Sequence, residues 1–311
     1  MLRRWSCAFG WPILLAIVSN LSLCGCRALR PHSHAKELSS ARQLSLRGAD
    51  SLQQEKIDEA EAFFSEALRH SDSDERAHWG FAEVLWQKKQ FADATKHMAK
   101  SAELSGGNPD LRVRLGQMYL EQNSFELAAQ QADAALQNNR DHPDAWVLQA
   151  DVLRRQGKLE EALEQYHRAL AYQQNCAVAQ IAVAELYREL GRPQRALATL
   201  ERLSDRCREC DVPPRAWLLK AKSLADLGAQ QEALACLRQA TNYAAGDQVQ
   251  LLVDVARVQY QLSDLVESRI SLGRALRNDP QNRQALALQS ELDQSFIRLA
   301  AGADAEKSWN Y

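Results

Sequence analysis

Residues 143–176, PDAWVLQADVLRRQGKLEEALEQYHRALAYQQNC, contain the pattern that decides the fold. Small side chains stand at Ala150, Ala162 and Ala169, and each belongs to a series that recurs along the chain at intervals of 34 to 37 residues. The first series is Gly48, Ala82, Gly116, Ala150, Ala184, Ala221 and Ala256; the second is Ala60, Ala94, Ala128, Ala162, Ala196, Ala233 and Ser268; the third is Ala67, Ser101, Ala135, Ala169, Leu203, Ala240 and Ala275. Three series in one register indicate a stacked repeat.

Each repeat predicts two amphipathic helices of roughly a dozen residues joined by a tight turn. Small residues mark the places where helices cross closely, and glycine in the turn suits a helix C-terminus. The turn glycines are Gly157, Gly191 and Gly228, and larger core residues are predicted four positions after the second series, at Phe64, Met98, Tyr166, Leu200, Leu237 and Leu272.

This pattern resembles the tetratricopeptide repeat. The resemblance implies an all-α fold, a right-handed superhelical array of about seven helix-turn-helix units within residues 41–282. The predicted units are 41–74, 75–108, 109–142, 143–176, 177–210, 214–247 and 249–282. A capping helix over 283–299 and a flexible tail over 300–311 are predicted to follow.

The composition favours the same fold class. The 311 residues carry 38 Lys and Arg against 40 Asp and Glu, and this near balance is unlike the strong positive charge of most nucleic-acid binders. Only 13 Gly and 8 Pro are present, too few for the turns of a long β protein. We therefore expect a helical protein that binds no nucleic acid.

The N-terminus has the pattern of an export signal, predicted over residues 1–25. Arg3 and Arg4 precede an apolar stretch, and its cleanest run, residues 11–18, is shorter than the ~20 residues that span a bilayer. An uncleaved anchor and plain secretion are the alternatives.

Leu23-Cys24-Gly25-Cys26 resembles the lipobox of bacterial lipoproteins. The resemblance implies a diacylglycerol and a fatty acid such as palmitate on Cys26, and a lipid anchor in the cell envelope. No Asp follows Cys26, which favours the outer membrane facing the periplasm. Residues 26–40 are predicted to be a basic tether.

The array is predicted to bind another polypeptide. The sequence has no glycine-rich phosphate loop, zinc-protease motif or nucleophile elbow, so we expect no enzyme activity, no cofactor and no metal site. The family resemblance places a protein or peptide partner in a concave groove lined by the first helices. Carried over, the groove residues are Arg76, Trp79, Glu83, Trp86, Gln87, Asp151, Arg154, Arg155, Arg188, Arg257 and Tyr260.

Two questions stay open at this stage. Trp79 and Trp86 lie seven residues apart on one helix face, either exposed as binding anchors or packed as core. Cys207 and Cys210 lie where the array carries three extra residues, and a local disulfide, free thiols, and metal or redox chemistry are all open. The alternatives to an adaptor are therefore a redox or metal-handling envelope protein and a structural spacer without a ligand.

Overall fold

The computed structural model describes residues 30–206 and 211–308, in which the chain forms fifteen α-helices and no strand. It divides into two compact units, Met1–Met118 and Tyr119–Tyr311. The unit Met1–Met118 contains α1 (Arg30–Gln53), α2 (Ile57–His70), α3 (Glu75–Gln87), α4 (Phe91–Leu104) and the first part of α5 (Pro109–Glu121).

The second unit contains the end of α5 and the other ten helices of the described residues, eight of which form consecutive pairs. They are α6 (Phe125–Asn138), α7 (Pro143–Arg155), α8 (Leu159–Tyr172), α9 (Ala177–Glu189), α10 (Pro193–Arg206), α11 (Pro214–Asp226), α12 (Gln230–Tyr243), α13 (Val249–Gln261), α14 (Leu265–Asn278) and α15 (Arg283–Ser308). Within it α7 packs on α8, α9 on α10, α11 on α12 and α13 on α14, while α9 and α13 also contact α11. Each unit is therefore built from stacked helix pairs, as the repeat predicts.

The three small-residue series form the helix crossings. All 21 positions are buried, and the larger residues predicted beside them are at most 2% exposed. Gly48 of the first series shows how close the contact is, because a Cβ atom there would lie 2.8 Å from the Cε1 atom of the Phe64 ring. The predicted core is confirmed.

The turns within the helix pairs need a left-handed residue. Gly157, Gly191 and Gly228 have φ angles of +77°, +68° and +80°. Other pairs use non-glycine residues at the matching position, at Glu55, Lys89, Asn123 and Ser263, with φ near +60°. The sequence identifies the glycines but gives no signal for a strained Glu, Lys or Ser.

Both ends differ from the sequence prediction. Helix α1 starts at Arg30, inside the predicted tether, and α15 continues to Ser308, beyond the predicted end at 299. Good helix formers explain both extensions: Ala, Lys, Glu and Leu at 35–38, and Ala, Glu and Lys among 300–307. Pro31 lies in the first turn of α1, where its missing N–H costs nothing.

Candidate functional site

The unit Met1–Met118 has an apolar cleft between α1 and α3, with a volume of about 570 Å³. Leu46 and Trp79 form its two walls and are 54% and 48% exposed. The remaining lining comes from Ser45, Ala49, Leu52, Gln53, Phe64, Arg76, Gly80 and Glu83. Leu46 and Trp79 therefore form an exposed apolar surface over a depression, which makes this cleft the candidate site for a partner.

Gly80, which has no side chain, forms part of the floor of the cleft. Gly80 follows Trp79 on α3, and the buried Phe64 ring occupies the space that a Cβ atom at position 80 would need. The ring also fits against Gly48 of α1, where a Cβ atom would lie 2.8 Å from its Cε1 atom. The small-residue positions of the repeat therefore shape the site as well as the core.

The two predicted tryptophans have different environments. Trp86 is half-buried, its ring lies 4.6 Å from the ring of Phe91, and the Arg114 guanidinium lies 6.0 Å from it. Trp79 contributes about half of its surface to the cleft. The structure therefore exposes Trp79 to solvent and packs Trp86 against its neighbours.

Charge at the cleft is uneven. Glu83 accepts two hydrogen bonds of 2.7 Å from Arg114, which neutralises it. Arg76 is exposed at the start of α3, and within the described part of the chain no carboxylate pairs with its guanidinium. Gln87, at the other end of α3, is exposed and does not line the cleft. Arg76 therefore offers its guanidinium to a partner, beside the Asp74 carboxylate that Ser45 and the first backbone N–H groups of α3 already hold.

In the unit Tyr119–Tyr311 the predicted groove residues lie along the first helices, and two of them, Arg154 and Arg188, form ion pairs with carboxylates of neighbouring first helices. Arg154 of α7 donates to Glu185 of α9 at 2.7 Å and also bonds Glu189. Arg215 of α11 donates to the other oxygen of Glu185 at 2.8 Å, and Arg188 bonds Asp226 at 2.9 Å. These ion pairs join the first helices of successive repeats.

Other predicted groove residues of this unit also contact protein. Tyr166 donates a hydrogen bond to Asp151, and burial, the largest cause, raises the pKa of both groups. Tyr260 forms a hydrogen bond of 3.1 Å with Ser295. Arg155 and Arg257 are exposed. Of the predicted groove residues in this unit, the latter two arginines have the greatest surface available for a partner.

A second cleft of about 480 Å³ lies between α9, α11 and α13 in the same unit. Its walls combine Leu218 and Leu219 with charged groups that include Glu185, Arg215 and Lys222. Burial lowers the pKa of Lys222, and Asp254 partly opposes this. The mixed charge gives the cleft no single electrostatic preference.

Sequence reasoning missed the α1 side of the first cleft and the pairing of the groove charges. Leu46, Ala49 and Gln53 follow the i, i+3, i+7 spacing of one helix face, which is a signal visible in the sequence. Glu83 and Arg114 are 31 residues apart, and so are Arg154 and Glu185. A separation slightly below the repeat length brings side chains of successive first helices together.

The predicted sites at Cys26, Cys207 and Cys210 lie outside the described residues, as does the signal segment. Cys176 and Cys236 carry free thiols. Among the residues that the structure describes, no three metal-ligating side chains are grouped around one point, and no helix has the length and apolarity of a membrane span.

Comparisons with solved structures agree with the helix-pair architecture. A tetratricopeptide repeat protein from Parabacteroides merdae ATCC 43184 is similar over 82% of this chain and 99% of its own, at 13% identity and a TM-score of 0.63. Yeast Tom70 is similar over 87% of this chain and 56% of its own, at 14% identity and a TM-score of 0.65.

PilW, described as a widely conserved type IV pilus biogenesis factor, is similar over 64% of this chain and 91% of its own, at 18% identity and a TM-score of 0.57. At these identities the likenesses concern the fold alone. No curated protein sequence matches the chain.

Family models give the assignment. One tetratricopeptide repeat model matches residues 46–109 and 113–177, a second matches 153–223 and a third matches 214–247. Together they cover residues 46–109 and 113–247, which is more than half of the chain. The chain therefore belongs to the tetratricopeptide repeat family.

Proposed function

We propose that this protein is an exported, membrane-anchored adaptor that binds a protein or peptide partner along the first helices of its repeats. The partner would be held by non-covalent contacts, and no chemical step is involved. The cell envelope, with a lipid anchor in the outer membrane, is the proposed location, and assembly of an envelope complex is the proposed role.

The cleft at Trp79 is the observation that supports this proposal most directly. An exposed tryptophan is costly to leave in water and contributes strongly when a partner buries it. Here it lies beside Leu46, and because both side chains project from helices that pack on each other, less backbone entropy is lost on binding than in a loop. A structural spacer without a ligand has no need for this arrangement.

The anchored location is supported by the N-terminal sequence. Arg3, Arg4, the apolar stretch and Cys26 in its lipobox-like context form one consistent pattern. One acyl chain binds a membrane only marginally, whereas two or more give durable attachment. The fold likeness to a pilus biogenesis factor is compatible with an envelope role.

Binding is tested by capture of partners from envelope extract on the immobilised full chain. Trp79→Ala is expected to reduce capture by at least about thirtyfold, as for an interface hot spot, while helicity by circular dichroism stays unchanged. Tyr172→Ala is the matched control, since Tyr172 is an aromatic residue of similar exposure, 49%, outside the cleft. Capture that survives Trp79→Ala in full would refute the groove assignment.

The anchor is tested by metabolic labelling with an alkyne fatty acid in a bacterial host. Cys26→Ala is expected to abolish labelling and to release the protein from the membrane fraction. Cys24→Ala should keep both, because Cys24 is removed with the signal. Continued labelling of the Cys26→Ala variant would exclude this lipid site.

A further inference from the structure

The cleft between α1 and α3 also shows what kind of segment it accepts. From Ser45 to Gln53 the α1 wall extends eight residues, about 12 Å at a rise of about 1.5 Å per residue. The α3 wall, from Arg76 to Glu83, has nearly the same length. The cleft is therefore about two helical turns long, enough for three side chains of one helix face and too short for a long extended peptide.

The backbone of the cleft walls offers an incoming chain no hydrogen bonds. Both walls are α-helices whose N–H and C=O groups are bonded within the helix, and the exposed wall side chains Leu46 and Trp79 are largely apolar. An extended peptide laid there would find no backbone partners on the side that faces the cleft walls, and each N–H or C=O group buried on that side would cost about 1–3 kcal/mol. A helix satisfies these groups internally and presents only side chains.

The polar groups at the rim add a charge preference. The Ser45 hydroxyl already has partners, since its one proton lies between two acceptors, the Asp74 carboxylate at 2.9 Å and the Ala41 carbonyl at 3.0 Å. Glu83 is held by Arg114. Arg76 is the charged lining residue for which no ion pair is found in the described part of the chain. A carboxylate is the complementary group.

We propose that the cleft between α1 and α3 binds an amphipathic helix whose apolar side chains, at i, i+3 or i+4, and i+7, lie against Leu46 and Trp79, with a carboxylate facing Arg76. This rests on the proposed adaptor function and specifies its ligand. The apolar side chains fill the depression over Gly80 and Phe64, and the acidic residue lies at the end of the stripe nearest the start of α3.

Site-specific photocrosslinking in the native cell tests this inference. p-Benzoylphenylalanine replaces Leu46 or Gln53 in the cleft, or Arg155 or Arg257 on the first helices of the other unit, and crosslinked partner segments are identified by mass spectrometry. Crosslinks at Leu46 and Gln53 are expected on a segment with the stated apolar spacing and an acidic residue within one turn of it.

A synthetic peptide of the crosslinked segment supplies the second measurement. We expect it to gain helical circular dichroism on binding the full chain, and a central proline to weaken binding at least about tenfold. Arg76→Glu should weaken binding about fivefold, and a basic residue in place of the peptide's acid should restore it. Arg238→Glu, at an exposed residue of α12 outside the predicted groove, is the matched control and should leave binding unchanged.

The outcomes separate the inference from the function on which it rests. A crosslinked segment that lacks the pattern or stays extended would overturn the inference and leave the adaptor function in place. Crosslinks confined to positions 155 and 257 would do the same. Absence of crosslinks at all four positions would count against the adaptor function itself.

Discussion

The same substitution, glycine to alanine, should have opposite effects at Gly157 and Gly273. Gly157 lies in the turn between α7 and α8 with φ of +77°, whereas Gly273 lies on the exposed surface of α14. A Cβ atom at either position would have no neighbouring atom within 4 Å. The two substitutions therefore differ only in backbone conformation.

The magnitudes follow from that conformation. At Gly157 the left-handed conformation costs an L residue roughly 1–2 kcal/mol, while the loss of glycine flexibility in the unfolded chain returns about 0.4–1 kcal/mol. Gly157→Ala should thus lower the free energy of unfolding by about 0.5–1 kcal/mol. Gly273→Ala should raise it by about 0.8–1 kcal/mol, the helix-propensity difference between the two residues.

Lys89→Gly completes the comparison, because Lys89 occupies the equivalent turn with φ of +62°. Relief of the left-handed strain should raise stability by about 0.5–1 kcal/mol.

The assay is urea unfolding followed by circular dichroism, with native-state hydrogen exchange of the flanking helices, because a repeat array can unfold in parts. Equal signs for Gly157→Ala and Gly273→Ala would refute the reasoning, as would a destabilising Lys89→Gly.

Three further predictions concern packing and charge. Gly80→Ala should cost about 1–3 kcal/mol because the new methyl would overlap the Phe64 ring, and Phe64→Leu in the same chain should restore part of the loss, measured as a double-mutant cycle in urea. Glu185→Gln should cost about 1–3 kcal/mol, since two arginines would face each other without their shared carboxylate; the same cost in 1 M NaCl as in low salt would contradict an ionic origin. Burial, and to a smaller degree the neighbouring His78, lowers the pKa of His97. The unfolded chain therefore binds a proton more readily than the folded chain, and the free energy of unfolding should fall as the pH decreases below about 6.5. His97→Asn, whose side-chain amide can donate a hydrogen bond to His78 Nδ1 or accept one from it, should reduce that fall between pH 7 and pH 5, measured by urea unfolding.

The repeat interval alone predicts most of the fold. Ala150, Ala162 and Ala169 are buried because helices cross at those positions, and the same geometry recurs wherever the interval recurs. Helix ends are predicted less well. Nothing in the 34-residue pattern shows that Lys89 adopts a left-handed conformation or that α1 begins at Arg30. Those details depend on local propensity and on strain that the surrounding packing tolerates.

The site is only partly predictable, because periodicity gives the face of a residue but not what covers it. Trp79 and Trp86 share a face, yet the chain turns after α3 and begins α4 with Phe91, whose ring covers part of Trp86. Arg114, nearly one repeat further along, lies beside the same indole. Within the described ranges 30–206 and 211–308, no aromatic ring or cation is found stacked on Trp79, and the next residue, Gly80, has no side chain, which leaves a depression. Tertiary packing therefore separates two tryptophans that the helical period makes equivalent, and it leaves Trp79, beside the depression, as the more exposed of the two.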